Sequence, residues 1–339
     1  MSLGFAVVGH ADVIDEWTPG YKSLKYKQTP KFWSQLDFVL FDGSIVTTPP
    51  GSKRLDRRIT GLVNVGGDFV FGKAALRPAI KTKAVFTKTE DEEEPKSTFT
   101  ESPVTVRPSL DFTFINPKGL EIFIGAEVYA ESEFDREGTS ATVNQNTKYS
   151  AYSLNVMRFG LMRRGSNWSG GFYYVNGADG QRDVTLTVDG SSDELRSVDK
   201  VQVPPEMGIA ASFNAFGFDS EFDLAFVQAS ESPNTSADGI NVVDDHLIFR
   251  INCFFPVGAS TLGLNYAHKT ISYSSNAFVT LDTIPHNVVK LKFMSGDVSS
   301  NLFIGGIYGW GSDGLSIPET NESYEVQMMG VTTGLFFSI

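Results

Sequence analysis

The sequence predicts an all-β fold, an antiparallel transmembrane β-barrel of about fourteen strands, with about twelve or about sixteen as the alternatives. Three observations point to it. Tight connectors at Asn116–Gly119, Arg163–Ser166, Gly217–Asp219, Pro256–Ala259 and Ser295–Ser299 alternate with long polar segments at Ser132–Thr147, Asn176–Pro205, Ser230–Asp244, Ser274–Thr283 and Gly311–Ser323. Membrane barrels sort their loops in this way, with short turns on the periplasmic rim and long loops outside. The segments between these connectors alternate apolar and polar residues with the period of two that places side chains on opposite faces of a strand. They also run longer than the roughly five to six residues of an ordinary strand, as a tilted span of the hydrocarbon layer requires.

The strands read along the chain as 35–47, 59–72, 77–90, 104–116, 119–131, 148–163, 167–177, 206–217, 219–230, 245–255, 259–273, 284–295, 299–310 and 325–339. The pattern is sharpest in Leu120–Glu131. There Leu120, Ile122, Ile124, Ala126, Val128 and Ala130 form one face, and Glu121, Phe123, Gly125, Glu127, Tyr129 and Glu131 the other. Val106, Leu110, Phe112 and Phe114 oppose Arg107, Ser109, Asp111 and Thr113 in the same manner, and Asn116–Gly119 joins the two runs with turn chemistry. Phe222, Leu224 and Phe226 oppose Glu221 and Asp223, while Leu247, Phe249, Ile251 and Cys253 oppose His246, Arg250 and Asn252. Val289, Leu291 and Phe293 oppose Lys290 and Lys292. The run 151–162 changes phase near Val156–Met157, which predicts a bulge. Trp168, Trp310, Tyr273 and Tyr324 fall near strand ends, where aromatic side chains form interfacial girdles.

Composition narrows the class further. No stretch of the 339 residues reaches the apolar length of a transmembrane helix. A mean hydropathy of −0.10 suits a barrel whose strands turn one face to a polar lumen. The single cysteine, Cys253, excludes an intramolecular disulfide and reads as a small buried hydrophobe. A net charge of −12 argues against nucleic acid as a partner. The acidic run at 90–94 reads as a solvated loop.

Residues 1–11 read as the remnant of a signal peptide: Leu3–Val8 is a short apolar run, and Gly9-His10-Ala11 resembles a small-residue cleavage site. Residues 12–34 are long enough for a small plug, and 35–339 form the expected single barrel. At the other end Met329, Val331, Leu335, Phe337 and Ile339 share one face, as a closing strand requires, because an open edge in lipid leaves backbone groups unsatisfied. This end is similar to the C-terminal signal read by the outer-membrane assembly machinery, which ends in Phe or Trp where this chain has Ile339. Both termini are then expected in the periplasm of a bacterial outer membrane, with lipid and lipopolysaccharide around the barrel.

With the apolar faces toward lipid, Arg107, Asp111, Glu121, Glu127, Glu221, Asp223, His246, Arg250, Lys290 and Lys292 point into the lumen. Charges on the lipid side would each cost about 2–4 kcal/mol at mid-bilayer for Lys or Arg. Arg107, Glu121, Glu127, His246, Arg250, Lys290 and Lys292 are therefore the candidate ligand-binding residues. Two roles compete for the cations. Arg250, Lys290 and Lys292 could hold the anionic head group of an amphipathic ligand, or could pair with inward carboxylates in a satisfied network; the second is the expectation, because buried charges are usually paired. Neither Gly-x-Ser-x-Gly nor His-Glu-x-x-His occurs, and the four histidines are scattered, so neither an enzyme nor a metal or other cofactor is expected.

The segments Val203–Phe213 followed by Phe218–Val227, and Ile284–Phe293 followed by Leu302–Trp310, resemble the FadL/TodX-type outer-membrane transporters for hydrophobic compounds: a loop ending in Pro, a strand, then a tight turn into the next strand. The resemblance covers roughly residues 200–339 and implies a fourteen-stranded barrel that passes small hydrophobic or amphipathic molecules. The Asn-Pro-Ala-Gly-like motif of the family's lumen-plugging hatch does not occur in residues 12–34. A general diffusion porin, and a structural or surface-recognition barrel with a closed lumen, are the alternatives.

Overall fold

The computed structural model describes residues 31–48, 53–91, 96–116, 118–140, 143–192, 194–203, 205–215, 218–227, 230–231, 242–243, 246–270, 287–297, 300–317 and 322–338. The expected leader remnant and most of the 12–34 segment lie outside the described residues, as do most of 230–244 and all of 274–283.

The described chain contains strands and turns. In order the strands are β1 (Lys31–Thr48), β2 (Lys53–Phe71), β3 (Ala74–Asp91), β4 (Ser97–Glu101), β5 (Val104–Ile115), β6 (Leu120–Glu131) and β7 (Phe134–Ser140). There follow β8 (Val143–Tyr149), β9 (Tyr152–Arg164), β10 (Trp168–Val175), β11 (Ala178–Val188), β12 (Leu195–Val203), β13 (Glu206–Ala215) and β14 (Phe218–Val227). The last are the short pair β15 (Ser230–Glu231) and β16 (Val242–Val243), then β17 (His246–Val257), β18 (Ser260–Thr270), β19 (Asn287–Asp297), β20 (Ser300–Ile317) and β21 (Glu322–Ser338).

Among the described residues, fourteen of these strands close a ring through antiparallel neighbours: β1–β2–β3–β5–β6–β9–β10–β13–β14–β17–β18–β19–β20–β21. β21 then pairs back onto β1 from Trp33↔Ser338 to Thr48↔Ser323. These are the fourteen strands read from the sequence. Their outward faces hold a continuous apolar band, from Phe38 and Leu40 through Ile122, Ile124 and Phe172 to Leu302, Ile304 and Val331, all exposed. Exposed hydrophobics on this scale are what a bilayer covers. Closure leaves no open edge in that band.

Besides Pro256 at the end of β17, two prolines sit inside described ring strands at places that tolerate them. Pairing of β3 with β5 runs unbroken through Pro78↔Leu110 and Ile80↔Pro108. Pairing of β2 with β3 lapses between Gly66↔Ala79 and Phe69↔Leu76, and that of β5 with β6 between Val106↔Ala130 and Ser109↔Glu127. Each proline thus turns its missing donor toward the neighbour with which the ladder is interrupted.

Three expectations need correction. The segments 132–147 and 176–205 are largely strand rather than loop: they form β7, β8, β11 and β12. With β4 these make an outer sheet that continues from the upper end of β3 in the order β3–β4–β7–β8–β11–β12. The segment 311–323 likewise extends β20 and β21 as far as Ile317 and Glu322. Lastly, β9 carries no bulge at Val156–Met157, since its register against β6 is continuous from Leu120↔Arg163 to Glu131↔Tyr152. The apparent change of phase arises because Leu154 and Val156, though apolar, face inward and are buried, while Ser153 and Asn155 face outward and are exposed.

Candidate functional site in the lumen

The inward faces divide into a charged arc and an apolar arc. The charged arc spans β5 to β17. Arg158 on β9 donates to Asp111 on β5 at 2.8 Å and lies 2.9 Å from Glu127 on β6, whose other oxygen accepts from Arg107 Nε at 2.5 Å. Arg107 also donates to the Tyr129 hydroxyl and stacks on that ring, with its guanidinium carbon 3.8 Å from the centroid. Arg164 pairs with Glu121 at 2.8 Å. Glu206 accepts from Tyr173 at 2.7 Å and from Arg250 at 3.4 Å. The register explains how these groups meet: Asp111, Gly125 and Arg158 lie on one row across β5, β6 and β9. A Cβ at Gly125 would collide with the Asp111 carboxylate, so glycine opens the space in which the pair forms.

Aromatic side chains fill the next row. Phe123 lies over Gly160 of the neighbouring strand, and Tyr173 over Gly208, where an added Cβ would fall 2.5 Å from its ring. Phe123, Met162, Tyr173 and Ile248 form one buried cluster with Val175 and Ala210 against it.

The apolar arc lies on β18 to β21 and β1. Val39, Ala267, Val288, Ile307 and Met328 all face inward and pack into one buried cluster. Phe303 and Met294 extend it toward the tight connection between β19 and β20. Lys292 is set into this arc with Nζ 3.9 Å from Asp37 and 4.1 Å from the Phe303 centroid. Lys290 also faces inward, between Asn265 and Ile307, and makes no ion pair among the described residues.

The candidate residues therefore fall as follows. Arg107, Glu121, Glu127 and Arg250 are all engaged in ion pairs of the charged arc, and Lys292 in one across the apolar arc. The side chain of His246 lies outside the described residues, as do those of Glu221 and Asp223. Pairing is thus the main fate of the inward cations, as expected. Arg158, Arg164, Glu206 and Asp37, which complete the pairs, are missing from the sequence-derived set, and so is the whole apolar arc. Its signal was available in the inward parity of Val39, Val288, Ile307 and Met328. Cys253 lies on the outward, lipid-facing side and is partly exposed rather than buried in a core. Trp168 and Trp310 both face outward, Trp168 at the start of β10 and Trp310 within β20, which runs on to Ile317, and Trp310 stacks on Tyr308 at 5.6 Å. No cluster of His, Cys, Asp and Glu among the described residues has metal-binding geometry.

At the upper end of the lumen, Arg182 of β11 is almost fully buried. It donates to Glu131 at 3.0 Å, lies 3.8 Å from Asp199 and stacks 4.4 Å from the Tyr149 ring. Burial raises the Asp199 carboxyl above its usual range against the pull of Arg182.

A closed antiparallel ring with an apolar belt outside and buried ion pairs inside defines an outer-membrane-type β-barrel. No protein-family model and no curated protein matches the chain in sequence. Solved structures do match in fold. The toluene transporter TodX of Pseudomonas putida is similar with a TM-score of 0.61 and 11% identity, over 98% of this chain and 94% of that one. The toluene transporter TbuX of Ralstonia pickettii is similar at 0.56 and 10% identity, over 91% and 90%. A FadL homologue from Pseudomonas aeruginosa matches at 0.56 and 7% identity, over 91% and 90%. The likeness expected from residues 200–339 therefore extends, as fold, along nearly the whole chain.

Proposed function

We propose that this barrel sits in a bacterial outer membrane and passes small hydrophobic or amphipathic molecules through its lumen. The observation that carries the reading is the apolar arc of Val39, Ala267, Val288, Ile307 and Met328 on an inner surface. A general diffusion porin keeps a polar, water-filled lumen, and a buried aliphatic cluster there works against it. The fold likeness to two toluene transporters supports the same class of cargo. Lys290 and Lys292 in this arc suit a ligand with one polar or anionic end, whose apolar body lies along the aliphatic cluster. The tight turns, and with them both termini, lie on the periplasmic side, and the outer sheet faces lipopolysaccharide. β21, which closes the ring, is the element that the assembly machinery engages. The ion-paired charges are structural, and the chain acts as a conduit rather than an enzyme.

The test is paired transport. Proteoliposomes of the full chain are expected to take up labelled toluene faster than empty vesicles, with no osmotic swelling in arabinose and no steady conductance in planar bilayers. A steady open pore that admits arabinose would establish the porin instead. Neither uptake nor conductance would leave a closed recognition barrel.

A further inference from the structure

Most charges of the lumen have partners, but two of its hydroxyl groups do not. Thr60 on β2 and Thr332 on β21 face inward and are 0% and 1% exposed. Neither Oγ1 finds a hydrogen-bond partner among the described residues. A buried hydroxyl without a partner costs free energy that valine, of nearly the same shape, would avoid. Both threonines stand in or beside the apolar arc, where valine would suit the neighbours better.

The register puts the two on one inward row. Lys292 of β19, Gly305 of β20, Thr332 of β21, Val39 of β1 and Thr60 of β2 lie opposite one another in turn. Val39, a member of the aliphatic cluster, thus separates the two hydroxyls. The Gly305 row differs from the inward rows around it. On β20 and β21, Gly334 faces Phe303, Gly330 faces Ile307 and Gly309 faces Met328, so each bare position is opposite a large apolar side chain. Phe303 leans over Gly334, where a Cβ would fall 2.7 Å from its ring. Opposite Gly305 stands only Thr332, which is too short to lean in this way. The nearest atoms to a Cβ placed at Gly305 belong to the backbone of Leu291 and Lys292. Lys292 exploits the bare strip. Its Nζ lies 3.9 Å from Asp37 on β1, three strands away at about 4.8 Å each, so the lysine lies flat across β20 and β21. One stretch of wall therefore offers a hydroxyl and an ammonium among Phe303, Ile307 and Val39.

We propose that Thr332 and Thr60 are seats for a hydroxyl group of the cargo, so that the barrel selects small alcohols and phenols over hydrocarbons of the same shape. The proposal rests on the reading of the lumen as a passage and names its cargo more closely. The apolar body of the ligand lies along Val39 and the aliphatic cluster. Its hydroxyl accepts from or donates to a threonine Oγ1, and at Thr332 it has the Lys292 ammonium as a second donor nearby. A methyl group in the same place leaves the threonine unmet, and a site built to pair a hydroxyl discriminates against a ligand that lacks one. The two threonines are two strands apart, about 10 Å, so a single hydroxyl group engages one of them at a time.

The test is binding of para-fluorophenol and para-fluorotoluene, which differ by a hydroxyl for a methyl group. Each is titrated by fluorine NMR into the full chain in nanodiscs, with empty nanodiscs as the blank for partition into lipid. The parent is expected to hold the phenol about tenfold more tightly. Thr60→Val with Thr332→Val should erase that preference and leave para-fluorotoluene binding nearly unchanged, whereas Thr60→Ser with Thr332→Ser should keep it. Each single valine variant should lose part of the preference, which decides the matter should the double variant fail to assemble. Equal affinity for the two compounds in the parent, or a preference for the phenol that survives loss of both hydroxyls, would overturn the seats. Uptake into proteoliposomes judges the passage separately. Selective binding without uptake of either compound would strike at the passage alone, and uptake without selective binding would strike at the seats alone.

Discussion

Glu127→Gln isolates the centre of the charged arc. Its carboxylate is shared by Arg107 at 2.5 Å and Arg158 at 2.9 Å, and side-chain exposure is 7% for the glutamate and 12% for each arginine. With Asp111, which holds Arg158 at 2.8 Å, the four groups sum to zero charge. The amide leaves one uncompensated positive charge in a site that water barely reaches. Breaking a buried ion pair from one side costs about 3–5 kcal/mol. Arg158 keeps Asp111 and Arg107 keeps the Tyr129 ring, so the expected loss is at the lower end, about 3 kcal/mol. Removing the orphaned cation should restore part of it: Glu127→Gln with Arg107→Met is expected to recover about 2 kcal/mol relative to the single variant. Urea unfolding of the barrel from lipid vesicles reads this through tryptophan emission, since Trp168 and Trp310 both face lipid. A single variant within about 0.5 kcal/mol of the parent, or a double variant no better than the single, would refute the network as a coupled unit.

Three further outcomes are expected. Leu224→Arg on the lipid face should lose about 2–4 kcal/mol and deplete the heat-modifiable folded band on electrophoresis, whereas Glu137→Arg on the solvent face of the outer sheet should be close to neutral; equal depletion would reverse the faces. Gly160→Ala drives a methyl group into the Phe123 ring and should cost about 1–3 kcal/mol, most of which vanishes when Phe123 is already Ala; additive losses in that cycle would show that the two do not touch. Cys253 should react in bilayers with a lipid-soluble maleimide and resist a sulfonated one, and the opposite preference would place it in the lumen.

The ring was readable because lipid enforces it. Each of its fourteen strands must present an unbroken apolar face, and Leu120–Glu131 or Val289–Phe293 shows that alternation at once. The outer sheet is under no such demand. β8, with Asn144, Gln145, Asn146 and Thr147, faces water on one side, and its composition is that of a loop. β11 did carry a signal in Val184, Leu186 and Val188, but the polar stretches around it masked the run. Parity alone aimed Arg107, Arg250, Lys290 and Lys292 inward. It could not pair them, because Arg158 reaches Asp111 through a register that is set by the ring as a whole. The apolar arc escaped for a related reason: an aliphatic residue facing the lumen looks, in a single strand, like an error of phase, as Leu154 and Val156 did.

The pairing of β1 with β21 also sets an order of events. Leu36 finds its partner in Leu335, so the two strands that seal the wall are the first and last ring strands to leave the ribosome. Until β21 arrives, the unsealed sheet has two raw edges, and lipid tolerates neither. No shortened form of this chain lacking the final strand can be a resident of the bilayer. Anything that severs the chain before β21 yields a substrate for proteolysis rather than a smaller barrel.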